Sequence, residues 1–344
     1  MLLPRFKKFA SDRALFARGD GVVLAVSGGV DSMVMLDLFG RLSGPWNLEL
    51  TVAHVNYGLR GRASDADERF VRMECESRGV RFELLRQGVR KDENLQNEAR
   101  RIRYRFLGET AARRGARVVA TAHQMDDQAE TILLHLIRGS GLRGLAGMSE
   151  KSAQGKLSIV RPLLFATRRE IADYAKRRGV ASREDRTNTQ TAYTRNRIRH
   201  LIIPALEKLN PRIVGTLSSM GERLHQDELA LDLVAAEAFE EAVASFEEGE
   251  TVLRRAALKE LPAGIRNRAF RLAFEKASGS SVDLKADQIA KMAAISEREN
   301  PRGSYRLPSP WIFTREKDLL TISRSRTKCD RRASANKPSA KPPR

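Results

Sequence analysis

The run Gly21-Val22-Val23-Leu24-Ala25-Val26-Ser27-Gly28-Gly29-Val30-Asp31-Ser32 joins an uncharged apolar stretch to a glycine-rich turn. The apolar half is rich in β-branched residues, which is typical of a strand buried on both faces of a parallel sheet. Residues 33–39 are largely apolar and indicate a buried helix. A strand, a glycine turn and a helix in this order open a βαβ unit.

The same alternation continues along the next 130 residues or so. Four further strands are predicted, at 48–55, 80–85, 117–122 and 157–161. Helical patterns lie between and after them, at 65–78, 93–114, 127–138 and from about Thr167 onward. Strands that alternate with helices predict an α/β fold with a doubly wound, mostly parallel sheet.

The pattern changes after about residue 205. From 206 to 299 it is mainly helical without a convincing buried strand, and a short hairpin is predicted within 306–322. Beyond Ser323 the chain is rich in Ser, Pro, Ala, Lys and Arg, a composition typical of disorder. We therefore predict a catalytic domain at 1–210, a smaller helical domain at 211–322 and a disordered basic tail at 323–344.

The charge balance points to a polyanionic partner. The chain has 344 residues, with 62 Lys and Arg against 43 Asp and Glu, for a formal net charge of +19. The basic residues cluster at 100–105, at 195–200 and in the tail. Lys and Arg neutralise backbone phosphates, so nucleic acid is the favoured partner, although charge does not separate DNA from RNA.

Several other classes of protein are disfavoured. No apolar stretch approaches the roughly 20 residues that span a bilayer, and the N-terminus lacks the apolar core of a signal peptide. The two cysteines, Cys75 and Cys329, lie far apart and form no CxxC pair. We expect a cytoplasmic protein in a reducing compartment, without membrane attachment.

The turn at 27–32 has the chemistry of a phosphate site. Its glycines let the backbone turn sharply, and its amides and serine hydroxyls can donate to phosphate oxygens at a helix N-terminus. A carboxylate, Asp31, makes sense there if Mg²⁺ bridges it to the phosphates. The spacing fits neither a Walker A loop nor a dinucleotide-binding fingerprint.

The hexapeptide Ser27-Gly28-Gly29-Val30-Asp31-Ser32 resembles the PP-loop of ATP pyrophosphatases, which transfer AMP to a substrate oxygen. Three further segments narrow the resemblance: 54–60 after the second strand, 123–131 after the fourth, and 184–200 at the end of the domain. Over residues 20–205 the chain is similar to the tRNA(Ile)-lysidine synthetase family.

The resemblance implies a reaction. ATP adenylates O2 of the wobble cytidine in the CAU anticodon of tRNA(Ile). The amine of L-lysine then attacks C2 and expels AMP, so that the tRNA reads AUA and is charged with isoleucine. The implied partners are ATP, Mg²⁺, L-lysine and this tRNA. The oligomeric state stays open, with a homodimer among the alternatives.

The resemblance also implies site residues for the small substrates. The residues implied for ATP binding are Ser27, Gly28, Gly29, Val30, Asp31, Ser32, His54, Arg60 and His123. The residues implied for Mg²⁺ binding are Asp31 and Asp127. Those implied for binding of the lysine substrate are Asp126, Asp127 and Glu130. Which carboxylate does which task stays open.

Catalytic roles are implied for Asp31, Asp127 and Arg195, where the arginine neutralises either the triphosphate or the tRNA backbone. Contacts to tRNA fall to Arg100, Arg103, Arg105, Arg197 and Arg199. Two departures from the family stand out. Tyr57 replaces a frequent histidine, and the chain leaves no room for the further C-terminal domain of many relatives.

Three alternative functions stay open. One is a PP-loop tRNA thiolase, but such enzymes rely on several cysteines for sulfur relay or a cluster, and this chain has two. A PP-loop amidating synthetase acts on small molecules and leaves the charge of +19 unexplained. A third reading is a non-catalytic RNA-binding protein on the same fold, which the intact loop disfavours.

Overall fold

A computed structural model describes residues 2–89, 95–183, 194–279 and 284–325. The chain divides into two compact units, Met1–His225 and Gln226–Arg344. The first unit is built on a six-stranded sheet and the second on a five-stranded one.

The sheet of the first unit is mostly parallel. Its strands are β1 (Gly21–Ala25), β2 (Glu49–Asn56), β3 (Arg81–Arg86), β4 (Val118–Thr121), β5 (Lys151–Gln154) and β6 (Leu157–Val160). They lie in the order β3-β2-β1-β4-β6-β5, and only the β5–β6 hairpin is antiparallel. The predicted α/β class and all five predicted strands are confirmed, and β5 is an additional edge strand.

Helices precede, connect and follow these strands. They are α1 (Leu2–Asp12), α2 (Val30–Trp46), α3 (Arg62–Ser77), α4 (Leu95–Arg113), α5 (Met125–Ile137), α6 (Leu142–Leu145), α7 (Arg168–Arg178), α8 (Thr194–Arg197), a π-helical turn (Ile198–Ile202) and α9 (Ile203–Leu209). The start of α7 is fixed by a capping box between Thr167 and Glu170, as a Thr-x-x-Glu pattern predicts.

Both faces of the sheet are covered, which explains its uninterrupted apolar strands. On β1, Val22 and Leu24 belong to the cluster that contains Phe39 of α2. Val23 points to the other cluster, which contains Phe106 of α4. All three β1 side chains are fully buried. A strand buried on both sides reads as a continuous apolar run because neither face meets water.

The strand order places a binding crevice next to β1. The chain runs from β1 to β2 and β3 on one side and then returns to β4 on the other. Ligands of open α/β sheets bind outside the carboxyl ends of the strands where the order reverses in this way. The hairpin 27–32 follows β1, and His123 follows β4.

The second unit combines helices with an antiparallel sheet. A long helix, α10 (Ile213–Ala242), leads into it. Its remaining elements are β7 (Val243–Glu247), β8 (Glu250–Arg254), α11 (Arg255–Lys259), α12 (Ala263–Ser278), α13 (Ala286–Glu297), β9 (Arg302–Arg306), β10 (Trp311–Glu316) and β11 (Leu319–Arg324). The strand order is β7-β8-β11-β10-β9, and the rings of Phe270 and Phe313 meet in its core at 5.8 Å.

The sheet of this unit goes beyond the prediction of helices and one hairpin. The hairpin is β10–β11, but β7, β8 and β9 were not predicted. In β8 only Thr251 and Leu253 are buried, between exposed Glu250 and Arg254. Five residues with such short alternation, beginning with an acid and ending with a base, carry little strand signal. The strand is held by a distant partner, β11.

The predicted tail begins two residues too early. Ser323 and Arg324 are part of β11 and pair with β10. The Arg324 guanidinium lies over the Trp311 ring, 5.6 Å from its centroid, which secures the end of the strand. Residues 326–344, for which disorder was predicted, lie outside the described residues.

Candidate active site

In the turn after β1, called the hairpin here (residues 27–32), two backbone amides donate to one side-chain oxygen, Ser32 Oγ. The N–H groups of Ser27 and Gly28 both donate to Ser32 Oγ at 3.2 Å, and that hydroxyl donates to the Gly29 carbonyl at 2.8 Å. Gly28 has a φ of +95°, and a Cβ there would lie 3.3 Å from Val71 Cγ2. Only glycine fits this turn without strain, so the sequence holds the amides in a shape that suits a phosphate oxygen.

Helix α2 begins at the end of this hairpin. Gly29 is its N-cap and supplies no side-chain hydrogen bond, and half-buried Val30 is its first residue. The first-turn amides of an uncapped helix seek an acceptor, and the helix dipole favours negative charge at this end. The hairpin and the helix start together form an anion site.

Asp31 is the acid of the first turn, and its carboxylate lacks a partner. Its Oδ1 is buried without a hydrogen bond among the described residues. Burial, together with the nearby Asp127 carboxylate, raises the pKa of Asp31 to about 6. Two carboxylates that disfavour each other's charge at a phosphate site suit a divalent cation, so the donor set fits Mg²⁺.

Within the described residues, no group of three or more His, Cys, Asp or Glu side chains is arranged to hold a metal ion. This agrees with the way in which Mg²⁺ binds at nucleotide sites. There it takes one or two carboxylates and completes its octahedron with phosphate oxygens and water.

Asp126 and Asp127 also fix the start of α5. Asp127 Oδ2 accepts the Gln124 N–H at 3.1 Å, and Gln124 Oε1 accepts the Asp126 N–H at 2.7 Å. Asp126 Oδ2 accepts the backbone N–H of Arg168 at 2.8 Å, which joins α5 to the start of α7. These acids therefore cap and position helices in addition to facing Asp31.

Glu130 is the centre of an arginine cluster. Its side chain is fully buried, and it accepts from Arg195 Nε at 2.9 Å, from Arg199 Nε at 2.6 Å and from Arg168 Nη2 at 3.2 Å. Although burial opposes ionisation, the hydrogen bonds and charges of Arg199 and Arg195 hold the pKa of Glu130 below its usual value. All three guanidinium groups also lie within 4 Å of Asp127 Oδ1.

The chain is similar to known proteins over most of its length. A family model described as a PP-loop domain matches residues 3–206. The tRNA(Ile)-lysidine synthase of Geobacter sulfurreducens is 39% identical over 330 residues, which cover 94% of this chain and 69% of that protein. The chain belongs to the tRNA(Ile)-lysidine synthase family.

Other relatives agree. The tRNA(Ile)-lysidine synthase of Geobacillus kaustophilus is 33% identical over 89% of this chain and 67% of its own length. This chain thus spans about two thirds of the length of these lysidine synthases. Among solved structures, the U34-tRNA thiolase NcsA of Methanococcus maripaludis aligns with a TM-score of 0.54 at 20% identity, covering 64% of this chain and 76% of that one. At that identity the likeness shows the fold alone.

His54 of this lysidine synthase family member lies beneath the hairpin. It is 4% exposed, its Nδ1 lies 2.8 Å from the Val26 carbonyl, and its ring stacks on Phe82. Burial lowers its pKa, so it is neutral. The structure brings His54 to the end of β1, where it supports the backbone that precedes the PP-loop.

His123 lies at the carboxyl end of β4, with Nδ1 3.0 Å from Thr121 Oγ1. Burial and the charges of Arg161, Arg103, Arg195 and Arg100 together lower its pKa to about 3. A neutral imidazole among cations is a hydrogen-bonding group and does not carry charge at any ordinary pH.

A second network ties the PP-loop to the rest of the site. Arg60 Nη2 donates to Asp67 at 2.5 Å, and Arg183 Nε donates to the same carboxylate. The Arg183 backbone N–H donates to the Gly28 carbonyl at 2.9 Å. Arg60 therefore reaches the hairpin through Asp67 and Arg183. Tyr57, in place of the frequent family histidine, donates its hydroxyl to the Ala99 carbonyl at 2.9 Å and anchors α4.

The arginines that were predicted to bind tRNA lie in different parts of the first unit. Arg100 and Arg103 stack on the Tyr104 ring, whereas Arg105 is exposed and bonds Gln87. Arg197 is exposed, but Arg199 belongs to the cluster around Glu130. The segment 184–193 of the family motif lies outside the described residues.

Sequence reasoning missed Arg168, Arg183 and Asp67. Arg168 had one signal, since it follows the capping box that starts α7 at the same edge of the sheet. Asp67 and Arg183 show no local pattern, because the ion pair between them joins positions 116 residues apart in the chain. No helix among the described residues is both long and apolar enough to cross a bilayer.

Proposed function

We propose that this protein ligates L-lysine to C2 of the wobble cytidine in the CAU anticodon of tRNA(Ile), with ATP as the activating substrate. One observation carries the proposal. The PP-loop amides of Ser27 and Gly28 are fixed by hydrogen bonds to Ser32 Oγ at the start of α2, which has no side-chain cap. Beside them, Asp31 Oδ1 is buried without a hydrogen bond among the described residues. Membership of the lysidine synthase family supplies the identity of the substrates.

The triphosphate lies along the PP-loop, with Ser27, Gly28, Gly29, Val30 and Ser32 around its oxygens. Bound Mg²⁺, held by Asp31 and Asp127, supplies charge neutralisation for the phosphates and the departing pyrophosphate. Arg195, Arg199 and Arg168 are fixed by Glu130 and present further cations at the same edge. Guanidinium groups that are already oriented need no rearrangement when negative charge develops.

In the first step, O2 of the cytidine attacks the α-phosphorus of ATP. An O–P bond forms, the bond to the bridging oxygen breaks, and pyrophosphate leaves. A pyrimidine carbonyl oxygen is a poor leaving group until it is esterified in this way. The task of the PP-loop and the arginine cluster is to hold the reacting groups in line and to stabilise the charge that moves to pyrophosphate.

In the second step, an uncharged amine of L-lysine attacks C2. The N–C2 bond forms, the C2–O2 bond breaks, AMP leaves with that oxygen, and the amine loses a proton. The lysine substrate is assigned to Asp126, Asp127 and Glu130. Within this set Glu130 orients Arg195 and Arg199, whereas Asp127 faces Asp31 and receives the substrate ammonium or the released proton.

The tRNA backbone meets the exposed arginines of the first unit. Arg100, Arg105 and Arg197 are exposed and Arg103 lies beside them, so their charges are available to phosphates. The hydrogen bond from the Tyr57 hydroxyl to the Ala99 carbonyl fixes the first part of α4, which carries Arg100, Arg103 and Arg105.

The test is a filter assay with labelled lysine and two transcripts, tRNA(Ile) with the CAU anticodon and tRNA(Met) with the same anticodon. ATP-dependent incorporation into the isoleucine transcript alone supports the proposal. Incorporation of sulfur in place of lysine would support a thiolase. Tight tRNA binding without pyrophosphate release would support a non-catalytic RNA-binding protein.

A further inference from the structure

Arg161 is a buried cation without an acidic partner. It follows β6 at the carboxyl end of the sheet and is 8% exposed. Its Nη1 donates to the Ser149 carbonyl at 2.5 Å and to Ser152 Oγ at 3.3 Å, both neutral groups. Its Nε is buried without a partner, and none of its contacts in the described part of the chain is with a carboxylate. A buried charge is costly unless an anion compensates it.

Two other buried donors lack partners in the same region. They are Arg103 Nε and the Tyr104 hydroxyl. Arg100 and Arg103 lie over the Tyr104 ring, at 4.9 and 5.7 Å from its centroid. Burial lowers the pKa of Arg161, whose side chain interacts with the Tyr104 hydroxyl and lies near the Arg100 guanidinium. The region therefore offers unsatisfied donors and positive charge, and its complement is an anion with several oxygen acceptors.

This group of cations lies beside the ATP phosphate site, near His123. The charges that act most strongly on His123 are those of Arg161, Arg103, Arg195 and Arg100. Arg195 also donates to Glu130, the carboxylate that binds Arg199 and Arg168. The cations around His123 therefore adjoin the ATP phosphate site.

We propose that Arg161, with Tyr104 and the arginines of α4, forms a buried pocket for a phosphate group of the RNA backbone beside the nucleotide that is modified. Arg100 is exposed to solvent, whereas Arg161 is buried. This arrangement admits a phosphodiester inserted from solvent together with the target nucleotide. The inference rests on the proposed function for the identity of the RNA, and it adds Arg161 and Tyr104 as substrate-binding residues.

Two ligands carry a phosphate group that fits this site, the tRNA backbone and pyrophosphate. The experiment distinguishes between them. Arg161→Met removes the charge and the donors, and Arg161→Lys keeps the charge but loses the planar fork. Arg114→Met is the matched control, because Arg114 is half-exposed and already paired with Glu83. The measurements are the Kd for tRNA(Ile) at several salt concentrations, the KM for ATP, and inhibition by pyrophosphate.

For Arg161→Met we expect tRNA binding to weaken by about 10- to 100-fold, since a charge-assisted hydrogen bond is lost. The slope of log K against log salt should fall by about one, as for the loss of one phosphate contact. Arg161→Lys should keep the wild-type slope and weaken binding less. The KM for ATP, pyrophosphate inhibition and the melting temperature should stay near their wild-type values.

Unchanged tRNA affinity together with weaker pyrophosphate inhibition would assign the pocket to pyrophosphate and overturn the proposal. A lower melting temperature in both variants with unchanged tRNA affinity would make Arg161 a structural residue, which also overturns it. If the wild-type protein binds this tRNA but incorporates no lysine, the proposed function fails, and the Arg161 effect on affinity and salt slope still decides the inference.

Discussion

Glu130 and Arg199 form a two-point ion pair in the interior of the first unit. Arg199 Nε donates to Glu130 Oε1 at 2.6 Å and Arg199 Nη2 donates to Oε2 at 2.9 Å, while the Glu130 side chain is fully buried. This fork is the strongest geometry available to arginine and carboxylate, and it fixes the plane of the guanidinium. Glu130 thereby sets the direction in which the active-site cations point.

Glu130→Gln should destabilise the protein strongly. The substitution removes the fully buried one of the two carboxylates that Arg168, Arg195 and Arg199 share, and breaking a buried ion pair costs about 3–5 kcal/mol. Urea denaturation measures the change in the free energy of unfolding. The control is Glu83→Gln, whose arginine partners Arg113 and Arg114 are near the surface, with an expected cost below about 1 kcal/mol. Equal losses in the two variants would contradict a special role for Glu130.

Asp31→Asn should raise stability and abolish activity. The pKa of Asp31 in the folded protein, about 6, is higher than its usual value of 3.8. The folded state therefore holds the proton more tightly, and the stabilising effect of that proton is lost as pH rises from about 4 to 6. At pH 7 the ionised carboxylate of Asp31 destabilises the folded state, and asparagine removes this cost.

We therefore expect a higher melting temperature for Asp31→Asn than for wild type at pH 7, and no difference below about pH 4. Pyrophosphate release should fall by at least about 100-fold, because asparagine lacks the charge with which Asp31 would hold the Mg²⁺ that neutralises the phosphates. Asp12→Asn, at an exposed i,i+4 pair with Lys8, serves as the control and should change neither quantity. Normal pyrophosphate release by Asp31→Asn would refute the role of this residue.

Gly28→Ala should impair ATP use with a modest loss of stability. Its φ of +95° disfavours any side chain, and the new Cβ would lie 3.3 Å from Val71 Cγ2, so the hairpin amides must shift. An increase of roughly tenfold or more in KM for ATP is expected, since a small displacement of donors weakens phosphate binding. Steady-state kinetics of pyrophosphate release measures it.

Gly40→Ala is the matched control for this change. Gly40 lies inside α2, has no positive φ, and has open space where a Cβ would go. Alanine there should stabilise the helix by about 0.5–1 kcal/mol and leave KM unchanged. A KM for Gly28→Ala equal to that of Gly40→Ala would show that the PP-loop tolerates displacement.

Deletion of residues 326–344 should weaken tRNA binding without loss of folding. The deleted segment has a single acid, Asp330, against a larger set of bases: Arg326, Lys328, Arg331, Arg332, Lys337, Lys341 and Arg344. Its loss should flatten the salt dependence of the tRNA Kd, because fewer counterions are released on binding. An unchanged slope would mean that the tail makes no phosphate contacts. Circular dichroism checks that the shortened chain is folded.

The parts of the fold that were predicted are each encoded by residues that are neighbours in the sequence. Strand β1 is an uninterrupted apolar run because both of its faces are buried, and the glycines after it mark the turn. Likewise, the capping box at Thr167 marks the start of α7 in four consecutive residues. In contrast, β7, β8 and β9 are short and half-exposed, so their identity depends on ladders such as that between β8 and the distant β11.

The sequence by itself determined the doubly wound sheet, the PP-loop and the family, because each is encoded in local runs of residue types. Only the tertiary structure decided that Glu130 is enclosed by Arg168, Arg195 and Arg199, and that Arg161 is buried without a counter-ion. The reason is physical. The energy of a buried charge depends on the groups that the fold brings around it, and those groups lie 38 to 69 residues from Glu130 along the chain.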